Sequence, residues 1–345
     1  MMNKIIGCLS LLLSPFAMAM QPLDDQSLSV ATGQDGLNIG VNVSKVEFKQ
    51  IAIIDTDGWD ANNVNATEYR GRGALVIAQN ANSLSNTAIN KPTITAKNAS
   101  GAQTDLALQA VIDIDKGTGA NGTFANIALS FGAVNELIIS PFSIYAANDS
   151  VLSTLGNSYI RSSIFDQNPA APNTVILKSN VKELLRLQNG LNIKFVSTNQ
   201  PTMNIQLGAA PQGKMIRFGG AIDSICGVGC NIMLVSGYDG SNNPIGASFN
   251  FQLKASNSSG FSLSKFYAGI EGLSNTDKGA FVLGIDNKSD NVDLKLNNIQ
   301  FGNTAAIPAT TDAAYRFNGL QNSAIGNIGF TQASVTDLKV RINGM

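Results

Sequence analysis

Apolar residues recur at every second position in short runs along this chain, and turn residues separate the runs. That pattern confines the fold to β structure. Leu37-Asn38-Ile39-Gly40-Val41-Asn42-Val43, Val46 to Ile51, Leu106 to Val111, Leu191 to Phe195, Asn204 to Leu207, Ser248 to Leu253, Val292 to Leu296 and Leu338 to Ile342 each alternate in this way. Each puts its apolar side chains on one face, as a half-buried strand requires. Asp57-Gly58, Asn121-Gly122, Asn189-Gly190 and Asp239-Gly240 supply the turn signals. Helical signals are scarce. VKELLRL over 181–187 fits about two helical turns, yet Leu185, Leu187, Leu191 and Ile193 also lie near a two-residue period, so helix and strand both stay open there. The expected fold is all-β, an elongated antiparallel β-sandwich or an open twisted sheet of many strands with little helix. The phrases LRLQNGLNIKF (185–195), LKLNNIQFGN (294–303), AIGNIGFTQ (324–332) and, more distantly, FANIALSFGAVNELIIS (124–140) resemble one another. They lack a fixed spacing, so a regular solenoid is not expected.

Residues 1–19 read as a cleavable export signal. Lys4 is the lone charge, Ile5 to Phe16 form an apolar stretch broken at Ser14-Pro15, and Ala17-Met18-Ala19 fits the small-x-small cleavage rule. No stretch approaches the ~18 consecutive apolar residues of a membrane-spanning helix, so no transmembrane segment is expected. Cys8 lies too early in the apolar stretch to suit a lipid anchor. The expected location is the periplasm, the cell surface or a pilus, or the medium. Behind the signal, 20–36 form an N-terminal segment, and QNPAAPN at 167–173 suggests a boundary between β-rich halves, 37–166 and 174–345. The two halves are either separate or one continuous domain.

Charge and chemistry narrow the function. Only 14% of the 345 residues are charged, against ~25% in ordinary soluble domains. With 23 basic and 24 acidic residues the net charge is -1, which provides no field for gathering nucleic acid. The chain contains no histidine. That removes Ser-His-Asp triads, imidazole general bases and most catalytic zinc sites, and leaves carboxylate pairs, Lys or Tyr bases and oxygen-ligated metals. Cys226 and Cys230, in SICGVGCNI, are expected to form a local disulfide joining two strand ends or closing a hairpin loop.

Carboxylates cluster in three places. Asp55, Asp57 and Asp60 in IIDTDGWD could hold Ca²⁺ through several oxygens on one loop, although the spacing does not match an EF-hand, and a polar turn after a buried strand is the preferred reading. Asp113 and Asp115 share one face of a strand, and Asp286, Asp290 and Asp293 form a further group. Together with Glu136 or Glu271 these could supply the acid pair of a polysaccharide-active enzyme. No catalytic residue and no cofactor other than such a Ca²⁺ is expected.

The segment Pro22 to Leu37, PLDDQSLSVATGQDGL, resembles the mature N-terminus of a family of exported proteobacterial β-proteins, the FilA-like pilus-system proteins, which carry an LxDxxLSxVxGQxG-type phrase. Ala31 is an extra small residue within it. The resemblance covers about 20 residues and implies a structural or assembly role in a pilus or fimbrial surface system, with other pilus-system proteins as partners and a host surface or glycan as a further contact. No catalytic residues carry over. Leu23, Asp24, Asp25, Leu28, Gly33, Gln34, Asp35 and Gly36 become candidates for partner recognition. Alternatively Asp24, Asp25 and Ser27 cap a short turn that plugs the fold, with Gly33 and Gly36 allowing a sharp entry into the first strand. The rival functions are a binding module for a glycan or an apolar ligand, and the polysaccharide-active enzyme.

Overall fold

The computed structural model describes residues 36–55, 73–81, 91–117, 122–148, 163–169, 175–239, 244–273, 278–302, 316–317, 320–321 and 324–343. Among them every regular element is a strand, and no helix is long and apolar enough to cross a membrane. The chain is all-β.

In chain order the strands are β1 (Leu37–Val43), β2 (Val46–Glu47), β3 (Gln50–Asp55), β4 (Gly73–Ala78), β5 (Thr93–Lys97), β6 (Gln103–Thr104), β7 (Leu106–Asp115), β8 (Phe124–Phe131), β9 (Glu136–Ile139) and β10 (Phe142–Ala147). A hairpin of β11 (Phe165–Gln167) and β12 (Val175–Leu177) follows, then β13 (Val181–Leu187), β14 (Leu191–Phe195), β15 (Thr202–Gly208), β16 (Ile216–Gly219), β17 (Ala221–Tyr238) and β18 (Pro244–Ala255). The last are β19 (Phe261–Ser262), β20 (Phe266–Leu273), β21 (Lys278–Ile285), β22 (Val292–Gly302), β23 (Arg316–Phe317), β24 (Leu320–Gln321), β25 (Ala324–Ala333) and β26 (Lys339–Ile342). VKELLRL is therefore a strand, β13, and three of the recurring phrases are the β13–β14 pair, β22 and β25, the latter two hydrogen-bonded to each other.

Two large antiparallel sheets carry the fold. The first has eight strands in the order β1-β7-β8-β15-β16-β20-β21-β26. The second has fourteen, and β17 is its axis. One side of β17 pairs with β18, which passes on to β22 and β25; the other side pairs with β14 near the start and β13 further along. Two limbs grow from there, β14-β9-β5-β2 and β13-β10-β4-β3. Strands from before and after 167–173 enter both sheets, for example β8 with β15 and β10 with β13. Gln167, at the start of that segment, pairs with Val175 in the β11–β12 ladder, and 170–173 lie outside the described residues.

The sheets are joined at a corner. β16 runs along the first sheet, turns at Gly220 and continues as β17 in the second. Gly220 has φ +87°, and a Cβ there would lie 2.4 Å from the Gln200 carbonyl oxygen, so only glycine fits the bend. Near this corner Leu106 and Phe131 of the first sheet pack against Ala96, Leu137, Ile193, Phe195 and Ile222 of the second, with the Phe131 and Phe195 rings stacked at 6.3 Å. A second core lies on the opposite side of the β13-β10-β4-β3 limb. There the β11–β12 hairpin covers Val76, Ala78, Tyr145 and Val181 through Ile164 and Phe165.

Candidate functional site

The registers sort side chains onto two unlike faces. In the first sheet Leu37, Ile39 and Val41 stand opposite Ile112, Ala110 and Leu108, and these opposite Ile127, Leu129 and Phe131. The row continues through Ile205 and Met203, then Ile216 and Phe218, and ends on Ile270, Phe281 and Ile342. One face is thus apolar across all eight strands. The other face carries side-chain hydrogen bonds, from Gln109 to Asn38, from Asn204 and Gln206 to Asn126 and from Lys214 to Glu271, together with a small buried apolar cluster of Tyr267, Ala280 and Val282. Tyr267 lies on that side with the Lys214 ammonium 4.1 Å from its ring centroid, a cation–π contact.

The second sheet has a matching apolar face. Ile225, Ile232 and Leu234 of β17 stand opposite Leu253, Phe249 and Ala247 of β18; Leu294 and Leu296 stand opposite Phe330 and Ile328. On the limb side Leu185 stands opposite Ile144, Ile144 opposite Ile77, and Ile77 opposite Ile51. The two apolar faces meet near the corner, where Ile285 and Phe195 are only 4% and 5% exposed. They are uncovered far from it: Ile114 is 73% exposed, Ile342 60% and Phe330 57%. Contact between the two apolar faces is thus seen near the corner, and other residues of the same faces are exposed.

A cavity of ≈180 Å³ lies in the seam between the two sheets. Ile222, Ile225, Leu253 and Val292 line it from the second sheet, Phe266 and Ile285 from the first. Of the polar residues that line it, Ser224 Oγ donates to Asp223, while Ser289 Oγ donates to the Asp290 carbonyl and accepts the Val335 N–H; Lys254 and Ser334 also border it. The edges of the sheets differ in their chemistry. β26 carries Lys339 and Arg341, charges of the kind that discourage strand addition. β1 and β25 have no charged residue and no proline over 7 and 10 residues, and among the described residues each pairs on one side only.

The carboxylate candidates are used locally. Asp55 ends edge strand β3; Asp57 and Asp60 lie outside the described residues, among which no group of three potential metal ligands occurs. Asp113 accepts the Ile114 N–H and Asp115 the Gly117 N–H, so both fix the chain at the end of β7. Glu136 sits in the other sheet and accepts from Asn192 at 2.7 Å. Glu271 is held by Lys339 and Lys214, whose hydrogen bonds, in that order, lower its pKa. Asp286 pairs with Arg217 and Asp290 with Lys265. Asp293 accepts from the Gln332 N–H and Ser256 Oγ, which lower its pKa against a smaller opposing effect of burial. The aspartates and glutamates anticipated as an acid pair are thereby distributed over separate structural contacts.

Cys226 and Cys230 form a disulfide with Cα atoms 5.2 Å apart. The bond does not join strand ends or close a hairpin. It spans a bulge inside β17, where the register steps from Ile225↔Leu253 to Cys230↔Phe251 and leaves Gly227, Val228 and Gly229 looped out. The Asn189 side chain clamps the bulge, donating to the Gly229 carbonyl and accepting the Asn231 N–H. Of the recognition candidates, only Gly36 is described. Its φ is +72°, and a Cβ would lie 2.4 Å from the Ile112 carbonyl oxygen, so it makes the sharp entry into β1. Leu23, Asp24, Asp25, Leu28, Gly33, Gln34 and Asp35 lie outside the described residues, as does the signal segment.

One polar cluster had no forewarning in the sequence. Glu183, 4% exposed, accepts from Arg186 Nε at 2.8 Å and Nη2 at 2.6 Å, from Ser143 Oγ at 2.5 Å and from the Tyr238 hydroxyl. Burial and then the Glu183 charge push the Tyr145 and Tyr238 phenols well above their ordinary range. Burial opposes the Arg186 charge, but hydrogen bonding and charge from Glu183 outweigh it and raise the guanidinium pKa. The cluster is sealed beneath the β11–β12 hairpin and serves packing.

Residues 1–115 match the model of a family of unknown function (DUF6160). No curated protein and no solved structure matches the chain.

Proposed function

We propose that this chain is an exported structural or assembly component of a bacterial pilus or fimbrial surface system, acting by protein–protein contact. The observation that carries this reading is the pair of unguarded edges, β1 and β25, each lying beside exposed inner-face residues. A free strand edge adds a neighbour's strand through main-chain hydrogen bonds, and alternate side chains then set specificity. On β1 those side chains are Leu37, Ile39 and Val41; on β25 they are Ile328 and Phe330. The N-terminal resemblance and the export-type leader support the same reading, and among the described residues the carboxylates singled out from the sequence are engaged in separate local contacts.

Strand-edge charges test it. Ile39→Lys with Val41→Lys should leave the stability of the isolated chain within about 0.5 kcal/mol, as exposed substitutions do, and should abolish its incorporation into surface structures seen by immunogold labelling of intact cells. Normal surface labelling of this variant, and also of Ile328→Lys with Phe330→Lys, would remove edge pairing from consideration.

A further inference from the structure

We propose that the seam between the two sheets is a binding site for one unbranched acyl chain. Protein interiors interdigitate with few voids larger than a water molecule, yet the seam between the two sheets holds a cavity of ≈180 Å³. An engineered cavity of ~150 Å³ with a comparable aliphatic and aromatic lining stays dry and takes up benzene. Ser224, Asp223 and Ser289 in the lining are committed to neighbours within the protein, which leaves a mainly aliphatic and aromatic wall bordered by Lys254 and Ser334.

The surroundings select a chain over a compact ligand. Phe281, Leu283 and Ile285 alternate along β21 on the inner face, and their exposure falls from 43% at Phe281 to 38% at Leu283 and 4% at Ile285, which lines the cavity. That track runs over five residues, four steps of roughly 13 Å in all at strand rise. On the facing wall Leu294, Leu296, Ile328 and Phe330 continue the apolar surface from Val292. A molecule seated by one end against Ile285 and Val292 emerges between two apolar walls and has to be apolar along its length. A free fatty acid and the acyl chain of a phospholipid both meet that requirement, with the headgroup outside the seam.

The test uses the full chain, stripped of co-purified lipid, titrated with laurate and separately with a lauroyl lysophospholipid, and read by native mass spectrometry and calorimetry. The expected result is one molecule per chain. Binding of laurate alone identifies the free acid, and binding of the lysophospholipid alone, or of both, identifies chain recognition independent of a carboxylate. Ala333→Phe and the milder Ala255→Leu, which place bulk in the cavity, should weaken binding at least tenfold while the thermal midpoint holds or rises. Ile53→Asn, an exposed position on edge strand β3 at the far end of the β13-β10-β4-β3 limb, should leave it unchanged. Absence of saturable binding by either probe overturns the proposal, as does binding that survives both filling variants or is lost with Ile53→Asn, since that is adsorption to exposed apolar surface.

Discussion

Glu183 and Arg186 illustrate how much a single register step decides. Three positions apart on a regular strand, they would point to opposite faces. The β10–β13 ladder shifts between Ile144 and Tyr145, so that Tyr145 pairs with Glu183, Ser143 with Arg186, and Leu184 is the extra residue. Both charged side chains then enter the same core. A bulge brings the two to one face, and nothing local to VKELLRL encodes it, because the bulge depends on a partner strand some forty residues away. Glu183→Gln leaves the Arg186 charge buried without its counter-ion and should cost about 3–5 kcal/mol, the usual penalty for breaking a buried pair; urea denaturation measures it. The same cluster sets an alkaline limit. The Tyr145 and Tyr238 phenols have raised pKa values in the folded state, so the stability linked to their protonated forms is complete below the ordinary phenol value of 10.0 and declines as pH rises above it. Absorbance titration should show two tyrosines that ionise only as the protein unfolds, and Tyr238→Phe should leave one.

At the level of elements, the alternating runs became strands nearly where the sequence put them, since each carries its own two-residue period. Val46 to Ile51 is the instructive departure. It divides into β2, which pairs with β5, and β3, which pairs with β4, so one alternating run serves two limbs. β17 is the opposite case. Its 18 residues exceed an ordinary strand, and the Gly-Val-Gly between the cysteines reads as a turn. The register holds across it because the disulfide closes the looped residues while β18 continues unbroken alongside. A five-residue ring is worth about 2 kcal/mol in the chain-entropy account. Cys226→Ser with Cys230→Ser, or reductant, should therefore lower stability by about that amount. Hydrogen exchange should report the loss first at Ile225 and Asn231, where β17 passes from the β14 limb to the β13 limb. Uniform loss of protection across both sheets would mean that the staple supports the whole fold instead of this crossing.

Across the whole molecule, the way the two sheets meet was not legible in the sequence. Each strand announces an apolar face, but not which face meets it or how far the contact extends. That depends on the corner at Gly220, which carries the chain from one sheet to the other beside the cavity. Composition hinted at two halves through QNPAAPN, yet the ladders interleave strands from both sides of it. Cooperativity follows from this interleaving: β8 cannot leave β15, nor β10 leave β13, without opening a sheet to which both halves contribute. Gly220→Ala forces a side chain into a positive φ, which costs about 1–2 kcal/mol from backbone sterics alone, with the close approach of the Gln200 carbonyl added to it. Calorimetry of this variant should show the transition displaced downward by several degrees and still single, because the strain sits where the chain passes directly from a strand of one sheet into a strand of the other. Two separable transitions, with only one of them moved, would instead mean that the sheets unfold independently and that the corner is a tether between them.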